Sequence, residues 1–266
     1  MVRIIFFSHL FILHFSLSFF SRAQNLSPER ITAWNLAGLT MDIQAPENQV
    51  DITDYGADNT GVNSCNSAYT AAIASLEGTA GTIYFPAGEY FFTATISVPD
   101  SVFLKGESTS TQLNFDQGGT GNLIQLAGSV ISTEVALAAD GIKGTYQIEL
   151  ADASALIVGD IIRLGMFDED LMFSTWAYGS MGQIIEVAGI DDNILTLADT
   201  LNHHYPLSRN PFARKLNAIR AAGIECLTIN RLDNSEAQES NIYIHAGYNC
   251  VVRNVGSNRC DFGHVE

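Results

Sequence analysis

The chain has 266 residues, with 29 acidic against 13 basic side chains and a formal net charge of −16 at pH 7. That surplus argues against nucleic acid as a partner, because binding it depends on a basic surface. Neither Cys-x-x-Cys nor His-x-x-x-His spacing occurs, so the four cysteines support no structural metal site. No cofactor is indicated, and nothing in the residues supports calcium.

The first 23 residues read as a secretory signal. Arg3 supplies the positive start, Ile4 to Phe20 is an apolar run, and Ser21-Arg22-Ala23 offers small residues for cleavage before Gln24. The run is short for a bilayer span of about 20 residues, so a membrane anchor is the weaker reading. The expected protein is exported (secreted, periplasmic or held at the cell surface), with no membrane span once the signal is removed. Loss of Arg3 and Arg22 makes it more acidic still. A polyanionic substrate is disfavoured, although screening over about 8 Å lets a local basic patch prevail. Arg209, Arg214, Lys215 and Arg220 form the one basic cluster, for which a solvated loop is the simpler explanation.

Residues 24–49 form an irregular lead-in in which Trp34 is expected to pack on the body. Val50 to Thr53 reads as a strand, and Asp54 and Asp58 belong to the turns after it. Tyr69, Ala72, Ile73 and Leu76 then fall at i, i+3, i+4 and i+7, which predicts a helix over 67–76 with Asn66 or Ser67 as cap and Gly78 as stop. A helix with one apolar stripe must lie against something flat or open-ended.

In "GTIYFPAGEYFF", Gly81 to Phe92, two β-favouring aromatic runs meet across Pro86-Ala87-Gly88. Pro86 donates no ladder hydrogen bond and Gly88 tolerates angles that other residues avoid, so the chain bends there. Both a hairpin and a corner between two faces of a coiled parallel sheet satisfy these residues. Short strands continue at spacings of about ten residues, a pattern that sandwiches and barrels share.

Residues 134–205 have a different texture, with longer alternating strands and turn signals at Val158-Gly159-Asp160 and Asp191-Asp192-Asn193. They predict a small antiparallel β subdomain. Its Trp176 and Tyr178 are candidates for a sugar-stacking platform, with local core as the simpler alternative. Further on, "IECLTINR" and "YNCVVRNV" superpose at an offset of 24, which places Cys226 over Cys250 and Asn230 over Asn254. A period in the twenties suggests a solenoid whose coils stack like on like, with asparagines able to form a side-chain ladder. Side chains stacked in parallel make poor disulfide geometry, so Cys226 and Cys250 are expected as free thiols.

Three segments carry a resemblance to a known family: "VDITDYGADNTG", a helix with "TAAIASL", and "GTIYFPAGEYFFTATISVPDSVFLKGES". Together they resemble the opening of the pectate-lyase superfamily, in its rhamnogalacturonase and epimerase-like branch. The matching residues are Tyr55, Gly56, Ala57, Thr70, Ala71, Ala72, Ile73, Phe85, Pro86, Gly88, Tyr90, Leu104 and Gly106. The match covers about residues 50–116, and 216–266 resemble later coils less distinctly. Aspartates often found before Thr-Ala-Ala-Ile are here Ala68 and Tyr69.

The resemblance implies an all-β protein, a right-handed parallel β-helix with an N-terminal capping helix and an inserted small antiparallel β subdomain. It would be organised as signal 1–23, lead-in 24–49, first coils 50–133, insertion 134–215 and later coils 216–266. It also implies a polysaccharide as partner. The expected function is an exported glycoside hydrolase or polysaccharide lyase acting along a groove of the coil. The alternative is a non-catalytic carbohydrate-binding or surface-adhesin β-helix. Hydrolases of the superfamily carry Asn-Thr-Asp, Asp-Asp, Gly-His-Gly and Arg-Ile-Lys on successive coils, and no such set is present here. Hydrolysis needs two carboxyls and lyase chemistry needs a base with a charge-stabilising cation. His245, Arg253, Asp261, His264 and Glu266 are the weak catalytic candidates, each with a solvated or corner-bonded role as the simpler reading. Because the chain stops at Glu266 just after a strand begins, it is expected to be the N-terminal part of a longer protein, prone to self-association through that end.

Overall fold

The computed structural model describes residues 42–234, 238–260 and 262–266; the signal, Trp34 and Asp261 lie outside them. The described chain opens with β1 (Gln49–Asp51), β2 (Thr60–Ser64) and helix α1 (Asn66–Ser75). β1 is shorter than the Val50–Thr53 strand expected. The Asp51 carboxylate accepts from the Thr53 amide at 2.8 Å, and the chain tightens there into a 3-10 turn that ends at Gly56, φ 84°.

Helix α1 buries Tyr69 and Ala72 of the expected stripe together with Ala68, and Leu76 just past its end, while Ile73 is half-buried beside them. Its cap differs from expectation. Cys65 precedes the first turn without a side-chain cap, because Asn66 instead accepts from the Thr93 amide at 2.9 Å and ties the helix to the coil beside it. The Tyr69 hydroxyl donates to the Ser97 carbonyl at 2.7 Å, making a second tie.

The body is built from coils. The first runs β3 (Gly81–Tyr84), β4 (Gly88–Phe92) and β5 (Ile96–Ser97); the second runs β6 (Val102–Lys105), β7 (Thr111–Phe115) and β8 (Ile124–Ala127). Each strand pairs in parallel with its equivalent: β3 with β1 and β6, β4 with β2 and β7, β5 with β8. Pro86-Ala87-Gly88 is therefore a corner between two faces of a coil and not a hairpin. Gly88 is required there, since its φ is 153° and a Cβ would sit 2.6 Å from the Asn59 carbonyl oxygen. Inside the coil, Phe85, Tyr90, Phe92 and Phe115 are fully buried, with the Phe92 and Phe115 rings stacked at 5.0 Å. Thr111 clasps two corners, donating to the Phe85 carbonyl and accepting from the Glu107 amide.

An antiparallel sheet intervenes in the sequence. It comprises β9 (Ser129–Val130), β10 (Val135–Ala136), β11 (Gln147–Glu149), β12 (Ile161–Gly165), β13 (Gly182–Asp191), β14 (Ile194–Leu197) and β15 (Phe212–Asn217). It has an apolar cluster of its own around Ile148, Leu164, Ile185, Val187, Leu195 and Tyr205. Its entry and exit strands touch, with Val130 opposite Leu216 and Ser129 opposite Asn217.

The coil then resumes with β16 (Ile219–Arg220), β17 (Gly223–Arg231) and β18 (Ile242–His245), followed by β19 (Gly247–Tyr248) and β20 (Val251–Asn258). β17 first pairs β6 and then β7, bending between them at Cys226, φ 56°. β20 bends likewise at Asn254, φ 53°. Their register pairs Gly223 with Val251 and Leu227 with Val255, an offset of 28 residues and not 24. Cys226 therefore lies level with Asn254, not Cys250. The stacking of bend on bend, one left-handed residue over another, sets the register more strongly than the chance likeness of side chains. All four cysteines are free. The asparagine ladder exists, shifted accordingly: Asn258 donates to Asn230 at 2.8 Å, Asn230 to Asn114 at 2.7 Å, and Asn114 to the Glu89 carboxylate at 3.2 Å.

Candidate functional site

Three coils present one flat outer face, that of β5, β8 and β18. Ile96, Ile124, Leu126 and Ile242 point into the core, so the alternate residues point out. Register aligns Ser97, Gln125 and Tyr243 in one outward row and Ala127 with His245 in the next. The Gln125 amide donates to the Ser97 hydroxyl at 3.0 Å. Tyr243 and His245 hold their rings parallel, 2° apart in plane and 6.0 Å between centroids. Residues 263–266 add a further rung, in which Val265 bridges Ile242 and the Ile244 amide donates to the Glu266 carbonyl at 2.6 Å. That rung sets Glu266 beside Tyr243.

Polar contacts fix this rung. Ser240, itself buried, donates to the Glu266 carboxylate at 2.8 Å. Buried Asn241 donates to the Ser257 hydroxyl at 2.9 Å, and Ser257 lies 2.9 Å from Nδ1 of His264. The Ser257 hydroxyl thus anchors one ring nitrogen of His264 to the coil. Behind the rung, buried Arg231 donates to the Asp233 carboxylate at 3.2 Å and to the Gly121 carbonyl at 2.9 Å.

Of the five catalytic candidates, His264 and Glu266 stand on this rung, His264 level with Asn241 and Glu266 with Tyr243, while His245 lies at the far end of β18. Arg253 belongs to another face. Its Nε bonds Glu225 at 2.6 Å, and Glu225, buried, also holds the Lys105 ammonium at 3.1 Å. The three are in register on β6, β17 and β20, and Arg253 also reaches Gln44 at 3.5 Å. The basic cluster is likewise engaged: Arg209 with Asp170, Arg214 with Glu134, Lys215 with Asp160, and Arg220 with the Gly159 carbonyl.

Trp176 and Tyr178 sit on the long loop between β12 and β13. Trp176 is 81% exposed and Phe173 96%, so the local-core reading of Trp176 does not hold. The loop is nonetheless tethered. Asp168, 1% exposed, accepts from the amides of Gly179 and Met181, both at 2.7 Å. Those two amides hold its carboxyl below the usual carboxylate range.

The profile of the rhamnogalacturonase A/epimerase, pectate lyase-like family matches residues 49–264. The chain belongs to that family. No curated protein matches it significantly. Among solved structures it is similar to the tailspike gp61 of Pseudomonas phage phi297, with TM-score 0.63 and 16% identity over 79% of this chain and 38% of that one. It is also similar to the Gp54 tailspike of Acinetobacter baumannii bacteriophage AP22, solved in complex with a capsular saccharide of A. baumannii. There the TM-score is 0.58 and identity 19%, over 82% of this chain and 36% of that one. The chain therefore spans well under half the length of either tailspike, and the likeness is one of fold.

Within this rhamnogalacturonase/epimerase-like fold, sequence reasoning missed Tyr243, Gln125 and Asp168. The first was within reach: in "IYIH" the isoleucines alternate with Tyr243 and His245, so a period-2 reading puts both rings on one face.

Proposed function

We propose that this protein is an exported polysaccharide-binding β-helix that lays a glycan along the β5–β8–β18 face. The N-terminal apolar run with its small-residue cleavage site is what supports export. The observation that carries the binding reading is the parallel pair of Tyr243 and His245 beside the Ser97–Gln125 row. Ring faces suit the apolar faces of sugars, while amide, hydroxyl and imidazole groups suit their oxygens. The family and the saccharide-bound AP22 tailspike support the ligand class. Among the described residues no helix is long and apolar enough to cross a membrane.

Turnover of the bound glycan is the second reading. It rests on Glu266 and His264 standing on one rung, with Glu266 level with Tyr243. Hydrolysis requires a second carboxyl about 5–9.5 Å from the first. The face residues named here supply one, that of Glu266, which suits proton transfer better than a two-carboxylate mechanism.

Titration of the full chain with a panel of bacterial and plant polysaccharides tests binding. Tyr243→Ala is expected to weaken the best ligand about tenfold, the loss of one interfacial aromatic anchor. Unchanged affinity in Tyr243→Ala and His245→Ala together would move the site off this face. Assays for new reducing ends and for an unsaturated product then separate hydrolase, lyase and binder.

A further inference from the structure

A second cleft lies in the antiparallel sheet, away from the face just described. Its volume is about 310 Å³, and Glu134, Leu137, Leu207, Asn210 and Phe212 line it. That is the lower end of the range for small-molecule sites, about 300–1,000 Å³. Its walls are of two kinds. Phe212 supplies a ring, buttressed by the guanidiniums of Arg163 and Arg214 at 5.8 and 5.4 Å from its centroid. Leu137 and Leu207 add aliphatic surface, while the Glu134 carboxylate and the Asn210 amide supply hydrogen-bonding groups.

We propose that this cleft binds one pyranose unit of a non-anionic glycan, a neutral or amino sugar. The proposal rests on the polysaccharide reading above and adds to it a second subsite with a stated charge class. A sugar ring has one apolar face and a rim of hydroxyls, which matches a pocket with one aromatic wall and two polar groups. The charge class follows from the lining. Its one ionic group is a carboxylate, the nearby Arg214 is paired with that carboxylate, and Arg209 makes two bonds to Asp170 at 2.7 and 3.1 Å. A uronate would meet Glu134 on a chain of net charge −16, and the other cation near the ring, Arg163, already donates to the Gly179 carbonyl and faces the Asp168 carboxylate.

The segment that lines the cleft also braces the exposed aromatic loop. Residues 207–212 contribute Leu207, Asn210 and Phe212 to the cleft, and the Arg209 carbonyl between them accepts from the Phe167 amide at 2.8 Å.

Saturation-transfer NMR on the full chain tests this with three probes: a neutral hexose oligomer, a glucosamine oligomer and an oligogalacturonide. Binding of a neutral or amino probe is expected, with the oligogalacturonide at least about tenfold weaker. Asn210→Gly removes the amide while suiting the left-handed backbone there, φ 46°, and so keeps the fold. It should weaken the preferred probe several-fold, and Glu134→Gln should narrow the gap to the oligogalacturonide. Oligogalacturonide binding as tightly as the other two, no binding by any probe, or wild-type affinities in both variants would each overturn the proposal. Tyr243→Ala separates the two sites. Loss there, with the cleft variants unchanged, leaves the polysaccharide reading standing and removes this one.

Discussion

Single buried carboxylates decide where the loops go. Asp168 collects two amide donors across the β12–β13 loop, and Asp233 does the same for the loop after β7, accepting from Gln117 at 2.7 Å and Gly119 at 2.9 Å. Burial pushes the Asp233 carboxyl up, but the Gly119 and Gln117 amides and the Arg231 guanidinium more than offset this, and the net shift is downward. Both groups therefore stabilise the fold fully above the unfolded aspartate value of about 3.9, and the contribution is lost as pH falls through the lower folded value. Hydrogen exchange at the Gly179 amide should stay protected from pH 7 down to about 5 and be lost below about 4. Loss of protection already between pH 7 and 5 would contradict this. Asp168→Asn turns one acceptor into a donor facing an amide, which should cost about 1–3 kcal/mol, read as a fall in Tm. The exposure of Trp176 depends on this tether, eight residues from it in sequence, and neither spacing nor periodicity announces such a bond. That is why the platform and local-core readings could not be separated from the sequence.

At the scale of elements, the strands were legible where side-chain pattern alone fixes them. The α1 stripe follows from periodicity; Pro86 and Gly88 announce a bend that fits a hairpin as well as a corner, and only the family resemblance points to the corner. The register of β20 on β17 does not follow from side-chain pattern, because it depends on the left-handed bends at Cys226 and Asn254. Asparagine visits that conformation readily and cysteine does so rarely, so only one of the two bends carries a sequence signal. The bend tolerates glycine and resists β-branching. Cys226→Gly should change stability by less than about 1 kcal/mol, whereas Cys226→Val should cost about 1–3 kcal/mol. Equal Tm values for the two variants would sink this account of the register. Gly106 meets the same bend from the neighbouring coil, where a Cβ would lie 2.7 Å from the Cys226 carbonyl oxygen. Gly106→Ala must therefore push two coils apart, and a lower urea midpoint is expected. The glycine of the Leu104-x-Gly106 motif is thus a packing requirement between coils. The asparagine ladder makes a related demand: Asn230→Ala leaves Asn258 without its acceptor and Asn114 without its donor, at a cost of about 1 kcal/mol for partly exposed bonds.

The described residues form two apolar clusters, one inside the coils and one under the antiparallel sheet. The coil and the sheet join at residues 128–129 and 217, where the chain leaves and re-enters the coil. Gly128 is packed so closely there that a Cβ would lie 2.4 Å from the Asn217 carbonyl oxygen, and Ser129 pairs with Asn217. An antiparallel pair with its ends in register can be closed by two residues, and Asn-Gly is the favoured turn. Replacing residues 130–216 by Asn-Gly should therefore leave the β3–β8 and β16–β20 coils able to stack. Among the described residues the deletion removes the bond from Arg220 to the Gly159 carbonyl and the approach of Glu186 and Asp199 to Tyr248, but none of the parallel pairings between β7, β8, β17 and β18. The shortened protein is expected to unfold in a single cooperative transition with a β-rich circular dichroism spectrum. It should keep the Tyr243-dependent ligand and lose the one that depends on Asn210. A shortened chain without a cooperative transition would show that the coils need the antiparallel sheet to fold. Retention of the Asn210-dependent ligand would place that ligand on the coils.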